Sequence, residues 1–486
     1  MDASVVALLD VIRSLAFVGD LAMGQPTDHS PRAAWMAGQL ARASGADAAA
    51  CTRATTVALL RWSGCTANAP EFAQLFGDDV NGRKALLATQ SAGSSFRSAT
   101  ARKSSAFLSL SRIHCEVSGD IGAQLGLDDA TQFALHHLFE SYDGSGAPGG
   151  LGGEDVPLPV YTASLAGDLD IFNRLYGLDQ ACKLIGQRAG SLYPQRLADA
   201  LVAHAAEWLA ALESDPGLNG PCSLEAAFAG RTASLEILAH VIDLKLPWMT
   251  GNSRQVAQLA HGAAQALGLD AAGRQRVYCA ALIHGIGRAA VPNMIWNTPG
   301  KLPEAAWERV RLVPYWTARA ARQLGSLAGE AELASYAFER LDGSGYYREA
   351  KTPGIPVEGR ILAAASALAA LRSARPWREA LVRDAADATL LREATAGRYD
   401  LDAVRTLLDK PRASSRPLAM PTSALLTERE RDVLRCISLG ASNKVAAQKL
   451  SISPSTVRTH VESVFRKLEC STRAAAILKA AQLGLL

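Results

Sequence analysis

The sequence lacks several features that would by themselves assign the chain to a class of protein. None of its eight cysteines forms a CxxC pair, so neither a disulfide framework nor a zinc ribbon is indicated and we expect reduced thiols. No uncharged apolar run approaches the roughly 18 residues that cross a bilayer, and the first ten residues lack the basic start of a secretory signal. Runs of alternating β-branched residues are also missing. These absences predict a cytoplasmic, almost entirely α-helical chain with no membrane association.

What is present indicates a long folded chain with a distinct basic end. The 486 residues are 49% hydrophobic and 20% charged, which is ordinary for globular domains. The net charge of +3 is unevenly placed, because residues 421–486 carry ten basic and five acidic side chains. A small basic module after a slightly acidic body predicts that the end of the chain contacts a polyanion.

Turn-forming residues divide the chain into blocks. The Pro- and Ser-rich stretch 409–423 predicts a linker, and a softer break lies at 212–223. The predicted domains are therefore 1–212, 224–408 and 424–486.

Equal intervals in the first two blocks predict two copies of one unit. Thirty-two residues separate His29 from Arg61 in the first block and Asn252 from His284 in the second. In each block a DGSG turn is followed, thirteen residues after its Asp, by VPLP or IPVE.

Through ALIHGIG, PGKLPEAAW and LDGSGYY, the second block resembles the HD-GYP branch of the HD-domain phosphohydrolases, and the first block resembles it more weakly. The resemblance implies an all-α bundle whose active members cleave cyclic dinucleotides with a metal cluster bound by His and Asp. The HD pair of that cluster is replaced by Arg61 and Trp62 in the first copy and by His284 and Gly285 in the second. We therefore expect no catalytic residue and no cofactor in either copy.

The first copy keeps polar residues that leave an alternative open. His29 and His114 match ligand positions of the family, and Asp168 lies within one residue of its late Asp. His136 and His137 lie two residues too early relative to the DGSG turn, which rotates a helical side chain by about 200°. These five residues are weak candidates for binding a metal or an anion. Polar residues left on a partly exposed face are the simpler interpretation.

The last block carries explicit helix signals. Thr427 and Glu430 fit a capping box, Ser442 can cap a second helix, and Pro454 begins a third over 454–468. This order predicts a helix-turn-helix within four helices. The third helix carries its apolar residues on one face, namely Val457, Val461, Val464, Phe465 and Leu468. Hydrogen-bond donors occupy the rest of that helix, as suits a major groove.

The submotifs T-x-x-E, G-x-S-N-K, S-x-x-T-V-x-x-H and R-K-L, at these intervals, resemble the LuxR-type (GerE-like) DNA-binding domain. The resemblance implies base-edge contacts from three residues, Val457, Arg458 and His460. It implies phosphate contacts from five others, Ser442, Asn443, Lys444, Thr456 and Lys467. It also implies that a fourth helix, Arg473 to Leu483, pairs two chains on near-palindromic double-stranded DNA.

The sequence thus predicts an all-α protein with two HD-domain-like bundles and a four-helix LuxR-type domain. The first functional hypothesis is a homodimeric, sequence-specific transcriptional regulator whose inactive HD-GYP-like body senses a small molecule or a protein. The second is a metal-dependent cyclic-dinucleotide phosphohydrolase with a DNA-binding tail. The third hypothesis is that the body is a scaffold that binds other proteins and no small ligand.

Overall fold

The computed structural model describes residues 4–89, 105–215, 223–320, 323–409 and 425–486. These residues are almost entirely helical, which confirms the predicted fold class. Two three-residue strands, Val5–Ala7 and Thr232–Ser234, form a two-stranded sheet. No helix in the described part of the chain is both long and apolar enough to span a bilayer.

The chain divides into two compact units, Ala7–Ala233 and Ser234–Leu486, the second together with Met1–Val6. The predicted linker lies outside the described residues from position 410 onward, as does the 216–222 part of the softer break. The domain boundaries expected from the sequence therefore stay predictions.

The first unit is a bundle built around small buried side chains. Ala33, Ala37, Ala54 and Ala58 are almost completely buried, so helix His29–Ala43 packs closely on its successor, and a later helix contacts both. Short 3₁₀ turns lie at Ser63–Cys65 and Gly153–Asp155. The α-helices of this unit are Leu8–Ala22, His29–Ala43, Ala48–Leu60, Ala69–Phe76, Asp79–Thr89, Ser105–Gln124, Asp129–His136, Leu158–Tyr176, Leu178–Arg188, Gln195–Ser214 and Leu224–Ala227.

The second unit contains a similar bundle followed by the C-terminal helices. The bundle helices are Glu236–Leu244, Asn252–Ala266, Ala271–Ile283, Asn293–Trp296, Glu304–Arg311, Val313–Ala320, Ala328–Ala334, Val357–Arg372, Arg383–Thr395 and Leu401–Leu408. Its 3₁₀ turns are Pro247–Met249, Ile286–Ala290 and Gly325–Leu327. The C-terminal helices, which we call the reader, are Glu428–Ser438, Asn443–Leu450, Pro454–Lys467 and Arg473–Gln482.

The two bundles repeat helix for helix where the sequence intervals match. Helix His29–Ala43 recurs as Asn252–Ala266, and Ala48–Leu60 recurs as Ala271–Ile283, each displaced by 223 residues. In each bundle an aspartate caps the later of these two helices, Ala48–Leu60 or Ala271–Ile283, by accepting the backbone N–H three residues on.

A buried Asp–Ser pair also recurs. Asp20 accepts hydrogen bonds from Ser30 Oγ and N at 2.6 and 3.0 Å, and Asp243 accepts them from Ser253 at 2.7 and 2.9 Å. Burial raises the pKa of Asp20 to about 7 and that of Asp243 to about 6.

A close backbone approach recurs in the same two bundles. A methyl group on Gly64 would collide with the carbonyl oxygen of His114, and one on Gly287 would collide with that of Val313. His114 and Val313 therefore occupy matching places in the two bundles, although their side chains differ.

The reader folds as its sequence signals predict. Thr427 and Glu430 form a reciprocal capping box, Ser442 and Ser453 each cap the next helix, and Pro454 lies in the first turn of the third. The buried cluster of this domain includes Val457, Val461, Val464 and Leu468 from the third helix, with Phe465 partly buried against it. These contacts set the helix-turn-helix and leave its opposite face in solvent.

Candidate functional site

The exposed face of helix Pro454–Lys467 is the candidate nucleic-acid interface. Ser455, Arg458, Thr459 and Glu462 are exposed along it, and Arg458 Nε donates to Glu462 Oε1 at 2.8 Å. A guanidinium held in this way on a solvent face can move to a base edge when DNA approaches.

The base contact expected from Val457 is corrected by the structure. Its side chain is fully buried in the reader core, where it lies among the residues that hold the three helices together. A residue whose side chain points into that core cannot also meet a base. Thr459, which the sequence reasoning passed over, is exposed beside Arg458, and half-buried His460 follows it.

The five residues expected to contact phosphates differ in their exposure and in the hydrogen bonds they already make. Lys444 and Thr456 are exposed, and Ser442, also exposed, accepts the Val445 N–H at 3.3 Å as a helix cap. The Asn443 side-chain oxygen accepts a hydrogen bond from Arg473 Nη2 at 2.6 Å, which occupies the amide oxygen, whereas a phosphate would bind the Nδ2 donors.

Lys467 is engaged as well, by the carboxylate of the capping box. Its Nζ lies 2.7 Å from Glu430 Oε2, while Ser463 donates to Glu430 Oε1 at the same distance. Burial opposes ionisation of Glu430, but the hydrogen bonds from Lys467, Ser463 and Thr427 prevail and lower its pKa to about 2. The resting role of Lys467 is thus to join the first and third reader helices.

In the first bundle a cavity of about 160 Å³ occupies the region where Arg61 replaces the HD pair. Its wall combines leucine side chains with six aromatic ones, Trp62, Phe72, Phe76, Phe107, Phe139 and Tyr193. The ionisable side chains that line it include Arg61, Arg83, His114, Glu140 and Asp168.

The two arginines at this cavity are buried, and within the described residues neither forms an ion pair with a carboxylate. Arg61 Nη1 donates to the Ala163 carbonyl at 2.9 Å, and its Nε has no hydrogen-bond partner in the described residues. Arg83 donates to the Ala22 and Cys65 carbonyls and to Asn68 Oδ1. Burial lowers the pKa of Arg61, and the nearby Asp168 partly opposes this.

Asp168 and His114 are both committed to the protein. Asp168 Oδ2 accepts hydrogen bonds from Tyr193 at 2.8 Å and from Arg188 at 3.1 Å. Burial lowers the pKa of His114 to about 3, so its imidazole is neutral, and Nε2 lies 2.8 Å from the Arg61 carbonyl oxygen. The proton on Nε2 therefore serves a backbone acceptor.

His29 lies in a different network. Its Nδ1 is 2.8 Å from Asp170 Oδ2, and Arg32 and Arg174 contact the same carboxylate at 2.7 and 3.0 Å. Burial favours the protonated acid, but these hydrogen bonds and charges lower the pKa of Asp170 to about 2. The sequence reasoning singled out Asp168, whereas the structure pairs His29 with Asp170.

His136 and His137 do not line the cavity. The His136 ring packs directly on the backbone of Gly119, and His137 Nδ1 lies 2.7 Å from the Phe133 carbonyl oxygen. The five weak candidates therefore do not come together. Within the described ranges no three His, Cys, Asp or Glu side chains form a metal-binding group. A hydrolytic metal pair does not fit these donors.

The second bundle has different side chains at the corresponding positions. His284 is fully buried, its Nδ1 lies 2.6 Å from the Ala281 carbonyl oxygen, and its Nε2 lies 2.9 Å from Arg288 Nη2. Burial, reinforced by the Arg288 charge, lowers the pKa of His284 to about 3. Phe338 stacks on Tyr346 with ring centroids 5.2 Å apart. Both ring nitrogens of His284 are thus occupied, and a metal does not fit here either.

Three residues that matter in the first bundle escaped the sequence reasoning: Arg83, Asp170 and Tyr193. Asp170 could have been found from the sequence. It lies two positions after Asp168 and four positions before Arg174, and side chains four positions apart on a helix are neighbours. Arg83 lies where the two copies have no matching interval, so only the fold brings it to the cavity.

Comparison with known proteins agrees with this architecture. Residues 236–403 match the HD domain, and residues 424–480 match the luxR family of bacterial regulatory proteins. The chain therefore combines an HD phosphodiesterase-like body with a C-terminal LuxR-type DNA-binding domain, which confirms the resemblance seen in the sequence.

Individual relatives divide along the same line. The 3'3'-cGAMP-specific phosphodiesterase 3 of Vibrio cholerae is 26% identical over 410 residues, covering 78% of this chain and 89% of that protein. The probable transcriptional regulatory protein NarL of Mycobacterium tuberculosis is 44% identical over 71 residues, 15% of this chain and 33% of its own length. A crystal structure of a cyclic GMP-AMP-specific phosphodiesterase of V. cholerae, 24% identical with TM-score 0.59, covers 83% of this chain and 97% of that one and shows the shared fold.

Proposed function

We propose that this chain is a sequence-specific transcriptional regulator whose HD-like body is a sensory module without phosphodiesterase activity. The observation that carries the proposal is the reader's third helix, with one face buried in a helix-turn-helix core and polar residues exposed on the other. The missing activity is supported by the buried hydrogen bonds that occupy His114 and His284 and by the arginines beside them.

For base reading we propose Arg458, Thr459 and His460 in place of the set that included Val457. A binding site is first selected from random duplexes with the full-length protein. Arg458→Ala should then cost about 1–3 kcal/mol on the selected site and much less on random DNA. An equal loss on both would remove Arg458 from the base-reading set.

For phosphate contact we propose Lys444 and Thr456, with Ser442 as a capping residue that can also donate. Lys444→Ala should weaken all sequences similarly and reduce the slope of log affinity against log salt by about one. Lys449→Ala, at the other end of the same exposed helix, is the matched control. A salt slope unchanged by Lys444→Ala would contradict the assignment.

Coupling of body and reader is supported by contacts inside the second unit. Helix Glu236–Leu244 packs on the last reader helix, and Thr250 Oγ1 donates to the Ser438 carbonyl at 2.8 Å. Leu478 and Leu244 face the same small cleft, and Leu478 is fully buried. The resemblance gives this reader helix the task of pairing two chains, so body contact and pairing compete for it.

The competition can be tested from the body side. Thr250→Arg should open the contact and tighten DNA binding by roughly threefold to tenfold through a population shift. Thr250→Ser, which keeps the hydroxyl donor, should leave DNA affinity as it is. Weaker DNA binding by Thr250→Arg, in a protein that remains folded and dimerises normally, would show that the contact supports the reader.

A metal-dependent phosphodiesterase is the second candidate, favoured by similarity to the V. cholerae enzyme across both bundles. Purified full-length protein is incubated with 3'3'-cGAMP and Mn²⁺, and linear product is followed by chromatography. Our proposal expects no turnover above a protein-free control. Turnover that disappears in His114→Ala and His284→Ala but survives in exposed His204→Ala would establish the enzyme and overturn the proposed inactivity.

A further inference from the structure

We infer that the cavity of the first bundle binds a small aromatic carboxylate, with the anion at Arg61 and Arg83 and the ring among the surrounding aromatic side chains. The inference rests on the proposed function only for its regulatory meaning, since an occupant of this cavity would be the signal that the body senses. Binding itself is a separate property and is measured without DNA.

The charge of the cavity calls for an anion. Arg61, Arg83 and Arg188 lie at or beside it, while Asp168 is the carboxylate among them and is taken up by Arg188 and Tyr193. Neutral His114 adds no charge. Two guanidiniums that are 8% and 3% exposed thus have carbonyl and amide acceptors but no ion pair within the described chain. Buried cations are normally paired, so this region lacks a counter-charge.

Glu140 does not supply that counter-charge. Its Oε1 accepts the Gly149 N–H at 2.6 Å, and the matching Glu339 of the second bundle likewise binds backbone N–H groups of its own loop. Burial raises the pKa of both carboxyls. This glutamate therefore belongs to the DGSG turn in each copy rather than to the cavity's charge balance.

The arginines are also fixed in place. Arg61 lies over the Trp62 ring at 4.6 Å, and Arg83 lies over the Phe72 ring at 4.8 Å. Gly167 makes room for Arg61, because a Cβ there would stand 2.8 Å from Nη1. In the part of the chain that the structure describes, Arg61 Nε is a buried donor without a partner, and planar guanidiniums suit carboxylates.

The volume and the lining of the cavity indicate what the uncharged part of the ligand should be. A cavity of about 150 Å³ is known to accommodate a benzene ring, and the volume here is about 160 Å³. One aromatic ring carrying one carboxylate matches both the volume and the aromatic wall.

Benzoate is the probe for this proposal, and Met23 reports its position. Met23 lines the cavity, whereas Met249 and Met294 lie in the other unit. In full-length protein with ¹³C-methyl methionine, benzoate should shift the Met23 resonance and leave those of Met249 and Met294 in place. This measurement needs no variant in the cavity. No shift of Met23 at about 10 mM benzoate, where even millimolar affinity would saturate the site, overturns the inference.

Ligand analogues separate the charge from the ring. Benzamide keeps the ring without the charge, and acetate keeps the charge without the ring. Both should bind at least about tenfold more weakly than benzoate by the same Met23 titration. Equal binding of benzamide would remove the role of the arginines, and equal binding of acetate would remove that of the aromatic wall. Displacement of benzoate by 3'3'-cGAMP would show a larger cavity and also overturn the assignment.

Variants test the arginines directly. Arg61→Met should weaken benzoate at least about tenfold, while Arg288→Met, at a similarly buried arginine of the second bundle, should leave benzoate affinity unchanged. If Arg61→Met does not fold, Arg61→Lys keeps the charge without the planar fork and should still weaken benzoate. Unchanged affinity in a folded Arg61 variant overturns the site, whereas loss of DNA binding with benzoate binding intact would count only against the proposed function.

Discussion

The two bundles share the arrangement of their helices and differ in the side chains at the centre of that arrangement. Where the first has Arg61 and Ala147, the second has His284 and Tyr346, and where the first has Asp170 the second has Ala369. The first thus places Arg61 at a cavity and Asp170 in an ion-pair network, whereas the second buries His284 against Arg288 next to a stacked Phe338–Tyr346 pair. Two bundles with matching helices thus have two different interiors in one chain.

The difference shows which parts of the frame are independent of the site. Helix intervals, the buried Asp–Ser pairs and the Gly64 and Gly287 approaches are the same in both bundles. They hold the helices together whatever occupies the centre. The central side chains are free to change as long as they fill space or pair their charges.

The largest expected effect comes from giving the first bundle the residue of the second at position 170. Asp170→Ala should lower the free energy of unfolding by about 3–5 kcal/mol at pH 7, because it removes the fully buried carboxylate that binds His29 and Arg32. Urea unfolding of the full-length protein measures it, with exposed Asp179→Ala as the control. A loss below about 1 kcal/mol would show that the network does not stabilise this bundle.

The same network sets a pH dependence. The folded pKa of Asp170, about 2, lies below the ordinary value of 3.8, so its stabilisation is present above about pH 4 and is lost as pH falls toward 2. The Asp170→Ala protein should lack this acid-induced loss. Parallel acid profiles for wild type and variant would contradict the assignment.

A second effect tests the filled centre of the other bundle. Tyr346→Ala should lower the free energy of unfolding by about 2–4 kcal/mol, since the ring packs between Phe338 and Trp307. Tyr346→Phe keeps the ring and should stay within about 0.5 kcal/mol of wild type. Hydrogen exchange of peptides from Ser234–Leu486 locates the loss. Equal destabilisation by both variants would assign the effect to the hydroxyl instead.

A third effect tests the shared frame. Gly64→Ala and Gly287→Ala should each cost about 1–3 kcal/mol because each added methyl group meets a backbone oxygen. Gly186→Ala and Gly329→Ala, in helices with open space around them, should instead be neutral or stabilising by up to about 1 kcal/mol. Thermal unfolding of the four variants compares them. A cost in one bundle only would break the equivalence of the two frames.

The smallest effect concerns the Asp–Ser pairs. Ser30→Ala and Ser253→Ala should each cost about 1–2 kcal/mol at pH 8 and less at pH 5. The folded pKa values of Asp20 and Asp243 are raised, so their contribution is full below about pH 4 and is lost as pH rises through about 7 and about 6. Removing the serine donors raises those pKa values further. Exposed Ser214→Ala is the control, and a cost independent of pH would contradict this account.

Much of this molecule could be predicted because its signals are local or periodic. Capping residues marked the reader helices, and equal intervals marked the repeated bundles. The replacement of the HD pairs rests on the resemblance and stays a prediction.

Site details that depend on tertiary structure could not be predicted. The sequence places Val457 both on the apolar face and among the base contacts, and its burial assigns it to the apolar face. Lys467 and Asn443 look free in the sequence, yet partners 37 and 30 residues away bind them. The cavity combines Arg61, Arg83 and Phe139 from separate helices and loops, and no spacing rule joins those positions.

The contact between the last reader helix and helix Glu236–Leu244 affects how the amount of paired protein depends on its concentration in the cell. If pairing through that helix requires two chains that have both released it, the paired species grows with the square of the released fraction. A tenfold change in that fraction then changes the amount of pair by about a hundredfold at low occupancy. The protein would convert a graded signal into a steep response, and its own abundance would set the threshold.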